Sequence, residues 1–422
     1  MARAAFGKTV LSLAVAGALA GGASQAQASG FALTEQSGSG LGTSFAGAAA
    51  AAEDASTIFY NPAGMSLLPG MQISAGLDFI NLSAKFSDGG SVAAGGRPLG
   101  NSGGNAGNLS TVPNAYFAMD VAPNWKVGVG LSVPFGLKTE YDPSWMGRFQ
   151  AIKSDISTTN LNPSVSYKVN DKVALGFGLN YQRIDAELTN AVNLGGAAEE
   201  LADIKAKDNT GWGYDLGAIF QLAPDTRLGV SYRSSIKYHL TGTATFSQNI
   251  PASSLDVSTD LTMPDSASIA VQHRLNPGWT LLADVTRTGW SKLKDLTIMN
   301  DSAGGTLSTT PENFRNTWRF GVGAVHRYDD AWSIKMGLAY DQTPVNDTDR
   351  TARLPDNNRL WLSAGGQYKL SKTGTLDFGY AHLFIKDAPI NQNGGNAAAN
   401  GQLVGTYKGS VDILGVQLAH RF

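Results

Sequence analysis

Cysteine is absent from the 422-residue chain, so neither a disulfide framework nor a Cys-based metal site is available to it. Charge is scarce as well. Charged residues make up 16% of the sequence, where a soluble chain usually carries about 25%. The charges nearly cancel, 32 basic against 34 acidic, which removes the basic footprint of a nucleic-acid binder; no nucleic-acid partner is expected. After the first 28 residues no window offers 18 consecutive apolar positions, so no membrane-spanning helix is predicted. Low charge without long apolar runs fits the wall of a membrane barrel, lipid-facing on one side of each strand and polar on the other. A large secreted β protein would share part of that composition.

Signals for chemistry are missing too. His239, His273, His326, His382 and His420 are scattered without any i, i+4 pairing, so no metal site is expected. The run Gly38–Gly42 is not followed by the Gly-Lys-Ser/Thr of a phosphate-binding loop. No G-x-S-x-G elbow appears. The chain therefore reads as a protein that is not an enzyme, with no catalytic residue and no cofactor. An outer-membrane lipid hydrolase would need a Ser–His pair near one interface, and the histidine pattern opposes it.

What the sequence does contain begins with a leader. Arg3 and Lys8 precede an apolar run from Val10 to Ala20 and then Ala26-Gln27-Ala28, which predicts a secretory signal peptide over 1–28. From 29 to about 70 follows a stretch of small residues with neither period-2 alternation nor a capped amphipathic helix, read as a hatch that plugs a lumen. The rest, 71–422, reads as about fourteen period-2 segments, near 71–86, 110–121, 125–139, 149–169, 173–193, 208–222, 226–248, 256–274, 279–299, 314–328, 332–344, 358–370, 374–386 and 410–422.

The connections alternate in length. Tight turns at Ala122–Asn124, Asn170–Lys172, Ala223–Asp225, Asn276–Gly278, Asp329–Ala331 and Ser371–Thr373 alternate with long polar loops, among them 87–109, 194–207 and 387–409. Short turns on one side and long loops on the other is the pattern of outer-membrane barrels. It predicts an all-β fold, a 14-stranded antiparallel transmembrane β-barrel with an N-terminal hatch, in the outer membrane among lipids and lipopolysaccharide. Trp125, Trp279 and Trp332 each follow a short turn, where an interfacial girdle sits. The last strand places Leu414, Val416, Leu418, His420 and Phe422 on one face, and Gln417 and Arg421 on the other. A terminal aromatic such as Phe422 is similar to the signal read by barrel-assembly machinery. A monomer is expected.

The segment S-G-F-A-L-T-E-Q-S-G-S-G-L-G from Ser29, then A-E-D-A-S-T-I-F-Y-N-P-A-G-M from Ala52, resembles the N-terminus of the FadL family, outer-membrane transporters of long-chain fatty acids and other hydrophobic compounds. T-W-R-F-G-V-G from Thr317, D-D-A-W from Asp329 and L-P-D-N-N-R-L-W-L-S-A-G from Leu354 extend the resemblance toward the C-terminus. It implies that Asn61, Pro62 and Ala63 belong to the hatch and that Phe31 lies on an arm able to reach a ligand pocket. It further implies passive uptake, with exit sideways through a gap made by an inward kink of the third strand. The expected ligand is a long-chain fatty acid, with an aromatic or aliphatic hydrocarbon as the alternative. A general porin would lack the plug.

Residue chemistry supports the kink separately. Pro134 cannot donate a ladder hydrogen bond and Gly136 tolerates unusual dihedrals, so Pro134-Phe135-Gly136 marks a break in the wall, or else the end of the strand. Trp145, Met146 and Phe149 are apolar residues in a polar loop, either an outer ligand groove or part of the outer girdle. Ala197–Lys205 reads as a short loop helix with Leu201 and Ile204 on one side. Where the fatty-acid family places basic headgroup contacts, this chain carries Leu188 and Thr297; Arg183, Lys292 and Lys294 are the nearby basic candidates.

Overall fold

The computed structural model describes residues 30–195, 199–247, 254–393 and 395–422; the predicted signal peptide lies outside them. The strands form one closed antiparallel barrel of fourteen wall strands. Closure is made by the first strand, Gln72–Asp88, against the last, Leu403–Arg421, in register from Gln72↔Arg421 to Asp88↔Gly405. Closing the sheet leaves no edge, which a membrane demands because an unpaired peptide group in hydrocarbon costs several kcal/mol.

Period-2 chemistry sets which way each strand faces. In the fifth wall strand, Val173–Asn193, Leu175, Phe177, Leu179 and Tyr181 point outward and are exposed. Ala174, Asn180 and Gln182 point inward and are buried. In water each exposed Leu or Phe would forgo about 1.5–3 kcal/mol of burial; against lipid it does not. Inside, the polar faces satisfy one another, as where Asn160 Nδ2 donates to Asn180 Oδ1 at 3.0 Å and Asn180 Nδ2 to Asp215 Oδ1 at 2.7 Å. Rings flank the short turns: Trp125 lies 4.6 Å from Tyr167 and Trp332 4.6 Å from Tyr368.

The sixth wall strand, Glu199–Ala223, corrects one expectation. The segment read as a loop helix is strand from Glu199 onward, paired from Asn193↔Glu199 through Glu187↔Lys205; Ala197 and Ala198 lie outside the described residues. Leu201 and Ile204 therefore fall on opposite faces. The last wall strand likewise starts at Leu403, earlier than the alternation indicated, and pairs there with Ala388–Gln392.

The hatch, from Gly30 to Leu68, fills the lumen with three single-turn helices, Gly38–Leu41, Ala48–Ala51 and Thr57–Tyr60, and a 3-10 turn, Pro62–Leu67. Its small residues let its backbone approach the wall, and the wall answers with glycine. A side chain at Gly217 would collide with Asn61 and Pro62, and one at Gly229 with the Ala49 carbonyl. Asn61 caps the 3-10 turn by accepting from Ala63 N, and donates to the Ala49 and Ala218 carbonyls at 2.7 and 3.1 Å. Wall cations then fasten the hatch. Lys335 Nζ donates to Ser39 O at 2.8 Å, Arg233 to Phe59 O at 2.8 Å, Arg227 to Ala50 O and Ala51 O at 3.0 Å, and Arg319 to Ser44 O.

Candidate functional site: a broken wall strand paired with the hatch arm

The third wall strand is broken. Trp125–Ser132 pairs with the second strand up to Ala115↔Leu131 and with the fourth up to Ser132↔Asn160. Pairing resumes with the fourth strand alone, at Gly136↔Ser157. Four steps along the third strand thus match three along the fourth, so one residue is extra, and the strand bulges as proline demands. Thr158 patches the bulge: its Oγ1 accepts from Phe135 N and donates to Phe135 O, both at 2.9 Å.

On the other side the ladder lapses. Among the described residues Leu109–Asn114 of the second strand forms ladder pairs with the first strand and none with the third. Higher up contact returns, where Glu140 N donates to Ala106 O at 3.0 Å. Between these limits the third strand forms no ladder with the second. Pro134, Phe135 and Gly136 lie in the break itself.

The kinked segment turns its free backbone toward the hatch, whose first residues act as a substitute strand. Leu33 N donates to Pro134 O and Gly136 N to Phe31 O, each at 2.8 Å, and Ala32 forms an antiparallel bridge with Phe135. Gln36 adds its side chain: Nε2 donates to Val133 O at 2.7 Å, and Oε1 accepts from Val133 N at 2.9 Å. Gly30 N donates to buried Asp356 at 3.0 Å, anchoring the start of the arm.

Two cavities meet at this seal. The inner one, about 150 Å³, is lined by Leu33, Phe45, Phe59, Pro134 and Phe135, with Asp215, Arg233, Asp284 and Arg319 as its polar wall. The outer one, about 50 Å³, is lined by Phe31, Leu137, Ile156, Leu188, Leu261, Leu293, Leu296, Phe314 and Leu354, with Glu312 and Arg353. Phe31 lines the outer cavity and Phe135 the inner. Their rings lie 6.2 Å apart, and Trp290 meets both at 4.8 and 6.2 Å. This aromatic cluster is the partition. Ligand pockets usually hold about 300–1,000 Å³, so the outer cavity is closed down around its side chains.

Of the residues singled out from sequence, Phe31, Leu188, Pro134 and Phe135 meet at this seal and its cavities, and Gly136 N closes on Phe31. Asn61, Pro62 and Ala63 sit in the hatch against Gly176 and Gly217. The basic candidates lie elsewhere. Arg183 is on the outer surface, paired with Asp185 at 2.7 Å; Lys292 pairs with Asp265 at 2.5 Å; Lys294 is exposed. None lines the cavity. Trp145 and Phe149 are buried, so they form neither an open groove nor a girdle. Trp145 stacks on Tyr141 at 3.9 Å, with Met146 packed beside them, and Phe149 lies under Arg148.

Sequence reading missed Gln36, Glu312 and Arg353. Gln36 stands inside the quoted T-E-Q-S run and Arg353 directly before L-P-D-N-N-R, so motif position could have drawn attention to both. Glu312 carries no such mark.

Residues 19–422 match the family model described as outer membrane protein transport protein (OMPP1/FadL/TodX). The chain is 29% identical to the long-chain fatty acid transport protein of Escherichia coli O6:H1 across 92% of this chain and 94% of that one. It overlays on the crystal structure of a Pseudomonas aeruginosa FadL homologue with a TM-score of 0.86 and 25% identity, covering 93% of this chain and all of the other. A Pseudomonas putida toluene transporter, TodX, shares the fold at a TM-score of 0.65 and 19% identity over 87% of this chain and 94% of the other. A closed barrel whose third strand breaks and pairs with the chain's own N-terminal arm has its place in the outer membrane, and the chain belongs to the OMPP1/FadL/TodX family of outer-membrane transport proteins.

Proposed function

We propose that this protein carries long-chain fatty acids passively across the outer membrane, through the outer cavity and out sideways through a wall window at the break in the third strand. The observation that carries the reading is the pairing of the arm with the kink. Phe31 and Phe135 part the two cavities, and their segments are hydrogen-bonded to each other. Moving the arm by a few residues therefore enlarges the cavity and frees the window in one step. Beyond the bond of Gly30 N to Asp356 at its very start, the arm is held by neutral backbone and amide bonds, worth about 0.5–1.5 kcal/mol each. The hatch behind it is held by charge-assisted bonds from Lys335, Arg233, Arg227 and Arg319, about 1.5–3 kcal/mol each, so the arm yields first.

A lateral exit suits a greasy solute. Every CH₂ returned to water costs about 0.8 kcal/mol, and a side door lets the chain pass from apolar pocket to bilayer without that return. No nucleotide-binding loop exists to drive transport, so the gradient does. The outward apolar band faces lipid and lipopolysaccharide. Phe422 is exposed for the assembly machinery, and we take the working unit to be a monomer.

Hydrocarbon uptake is the second reading, favoured by Leu188, which lines the cavity where a fatty-acid site carries a basic group. Cells lacking their own uptake protein and producing this chain decide between them. Accumulation of labelled oleate above the empty-vector level supports the fatty-acid reading. Toluene accumulation without oleate moves the protein to hydrocarbons, and neither ligand entering ends both readings.

A further inference from the structure

The outer cavity is apolar except for two groups from the extracellular loops, Arg353 and Glu312. Arg353 is fixed but not neutralised. Its Nη1 donates to Lys153 O at 3.0 Å and Ser154 Oγ at 3.1 Å, and its Nη2 to Asn190 Oδ1 at 3.3 Å, all uncharged acceptors. Its own carbonyl accepts from Thr139 Oγ1 at 3.1 Å, which ties it to the strand that resumes above the kink.

Glu312 is 8% exposed. Its backbone N–H donates to Lys294 O at 2.8 Å, while its carboxyl hydrogen-bonds to none of the described residues. Glu312 and Arg353 line the same space without closing a salt bridge. The titratable groups facing Glu312 are Arg353 and Asp349, and those facing Arg353 are Glu312 and Tyr141. Burial pushes the Glu312 carboxyl up to about 8, and brings the Arg353 guanidinium down only to about 10. At neutral pH the cavity thus holds one positive charge and one carboxylic O–H. A largely desolvated charge left without a counter-ion is unfavourable, and an incoming anion relieves it.

We propose, resting on the transport reading above, that Arg353 and Glu312 form the headgroup site for an alkyl carboxylate, Arg353 pairing with the carboxylate while the neutral Glu312 carboxyl donates a hydrogen bond to it. The alkyl tail then lies against Leu188, Leu261, Leu293 and Phe31, displacing the arm. An uncharged hydrocarbon leaves the Arg353 charge uncompensated, so the pair selects acids over hydrocarbons. Once Glu312 ionises it compensates Arg353 itself and repels the ligand, so capture weakens in alkali. Glu312 is the residue that sets this dependence.

The test is equilibrium binding of labelled oleate and oleyl alcohol to the detergent-solubilised full-length protein at pH 7 and pH 9, comparing variants at each pH so that the ligand's own titration cancels. Arg353→Met is expected to weaken oleate about tenfold at pH 7 and leave oleyl alcohol within about twofold. Glu312→Gln, whose amide still donates but cannot ionise, is expected to weaken oleate about two- to threefold at pH 7 and to lose the roughly tenfold further weakening of the native protein at pH 9. If Arg353→Met weakens both ligands, Arg353→Lys decides: oleate recovered ahead of the alcohol upholds the site, equal recovery overturns it. Oleate binding indifferent to both substitutions, with the alcohol still bound, overturns the headgroup site and leaves the transport reading standing. Failure of the native protein to bind either ligand overturns the transport reading itself.

Discussion

Gln36 holds the backbone of Val133 by both of its polar groups, its amide nitrogen 2.7 Å from the carbonyl oxygen and its amide oxygen 2.9 Å from the nitrogen. A primary amide offers donor and acceptor side by side, as the peptide of a neighbouring strand would. Where the third strand has lost its partner, a side chain from the hatch stands in for one. Gln36 is itself fully buried, so no water replaces it.

Gln36→Leu keeps most of the bulk and removes both bonds. It leaves the Val133 N–H and C=O unsatisfied, about 1–3 kcal/mol for each buried group. The arm should open more readily while the rest of the hatch stays pinned. Hydrogen exchange is the measurement: amides of Leu33, Val133 and Gly136 should exchange at least about tenfold faster, with those of the closing pair Gln72–Asp88 unchanged. Equal protection in both proteins would mean that the amide clamp contributes nothing to the seal.

The window has its own test. Pro134→Val restores a ladder donor and a strand-forming side chain, but the extra residue remains between Ser132 and Gly136. Deleting Pro134 removes that residue, so the third and fourth strands match step for step. Uptake of oleate should slow modestly in Pro134→Val and by about tenfold or more in the deletion. Both proteins should still show the heat-modifiable gel mobility of a folded barrel. Unchanged uptake by a correctly inserted deletion variant would rule out exit through this window.

The barrel was legible because lipid enforces alternation. Leu175, Phe177, Leu179 and Tyr181 keep one parity, and the same parity could have placed Arg183 outside rather than in the cavity. Legibility failed above the membrane. From Ala202 to Lys207 the inward face carries only Ala202, Ile204 and Ala206 and the outward face is charged, so the alternation is shallow, while Leu201, on the outward face, forms with Ile204 a spacing that mimics a helix. Pro134 was readable because its missing N–H is a local fact. The burial of Trp145, its stack on Tyr141, and the meeting of Glu312 with Arg353 across 41 positions are tertiary facts with no local pattern.

Lys335 anchors the hatch behind the arm. Its ammonium bridges Glu53 at 2.6 Å, Asp377 at 3.0 Å and the Ser39 carbonyl at 2.8 Å, all on the hatch or the wall behind it. Lys335→Met strands two carboxylates, and breaking such a buried pair costs about 3–5 kcal/mol. The expected result is a lower thermal midpoint of unfolding and new protease cleavage between Ser39 and Glu53. Gln36→Leu should show no cleavage there. A protease pattern shared by both variants would show the hatch to be one unit.

The absence of cysteine makes the last prediction clean. Ala32 and Phe135 face each other as an antiparallel bridge, a pairing whose Cα atoms sit about 4.5–5.5 Å apart, within the range a disulfide spans. Introducing cysteine at both positions would fasten the arm to the kink, with no native thiol to compete. Phe135→Cys alone removes part of the aromatic partition, so it serves as the control and should leave uptake intact or raise it. The oxidised double variant should lose oleate uptake, and reductant should restore it to the level of the control. If the arm must leave the kink for ligand to pass, oxidation stops transport; if oxidised and reduced proteins carry oleate equally fast, the arm is no gate and the route lies elsewhere in the wall.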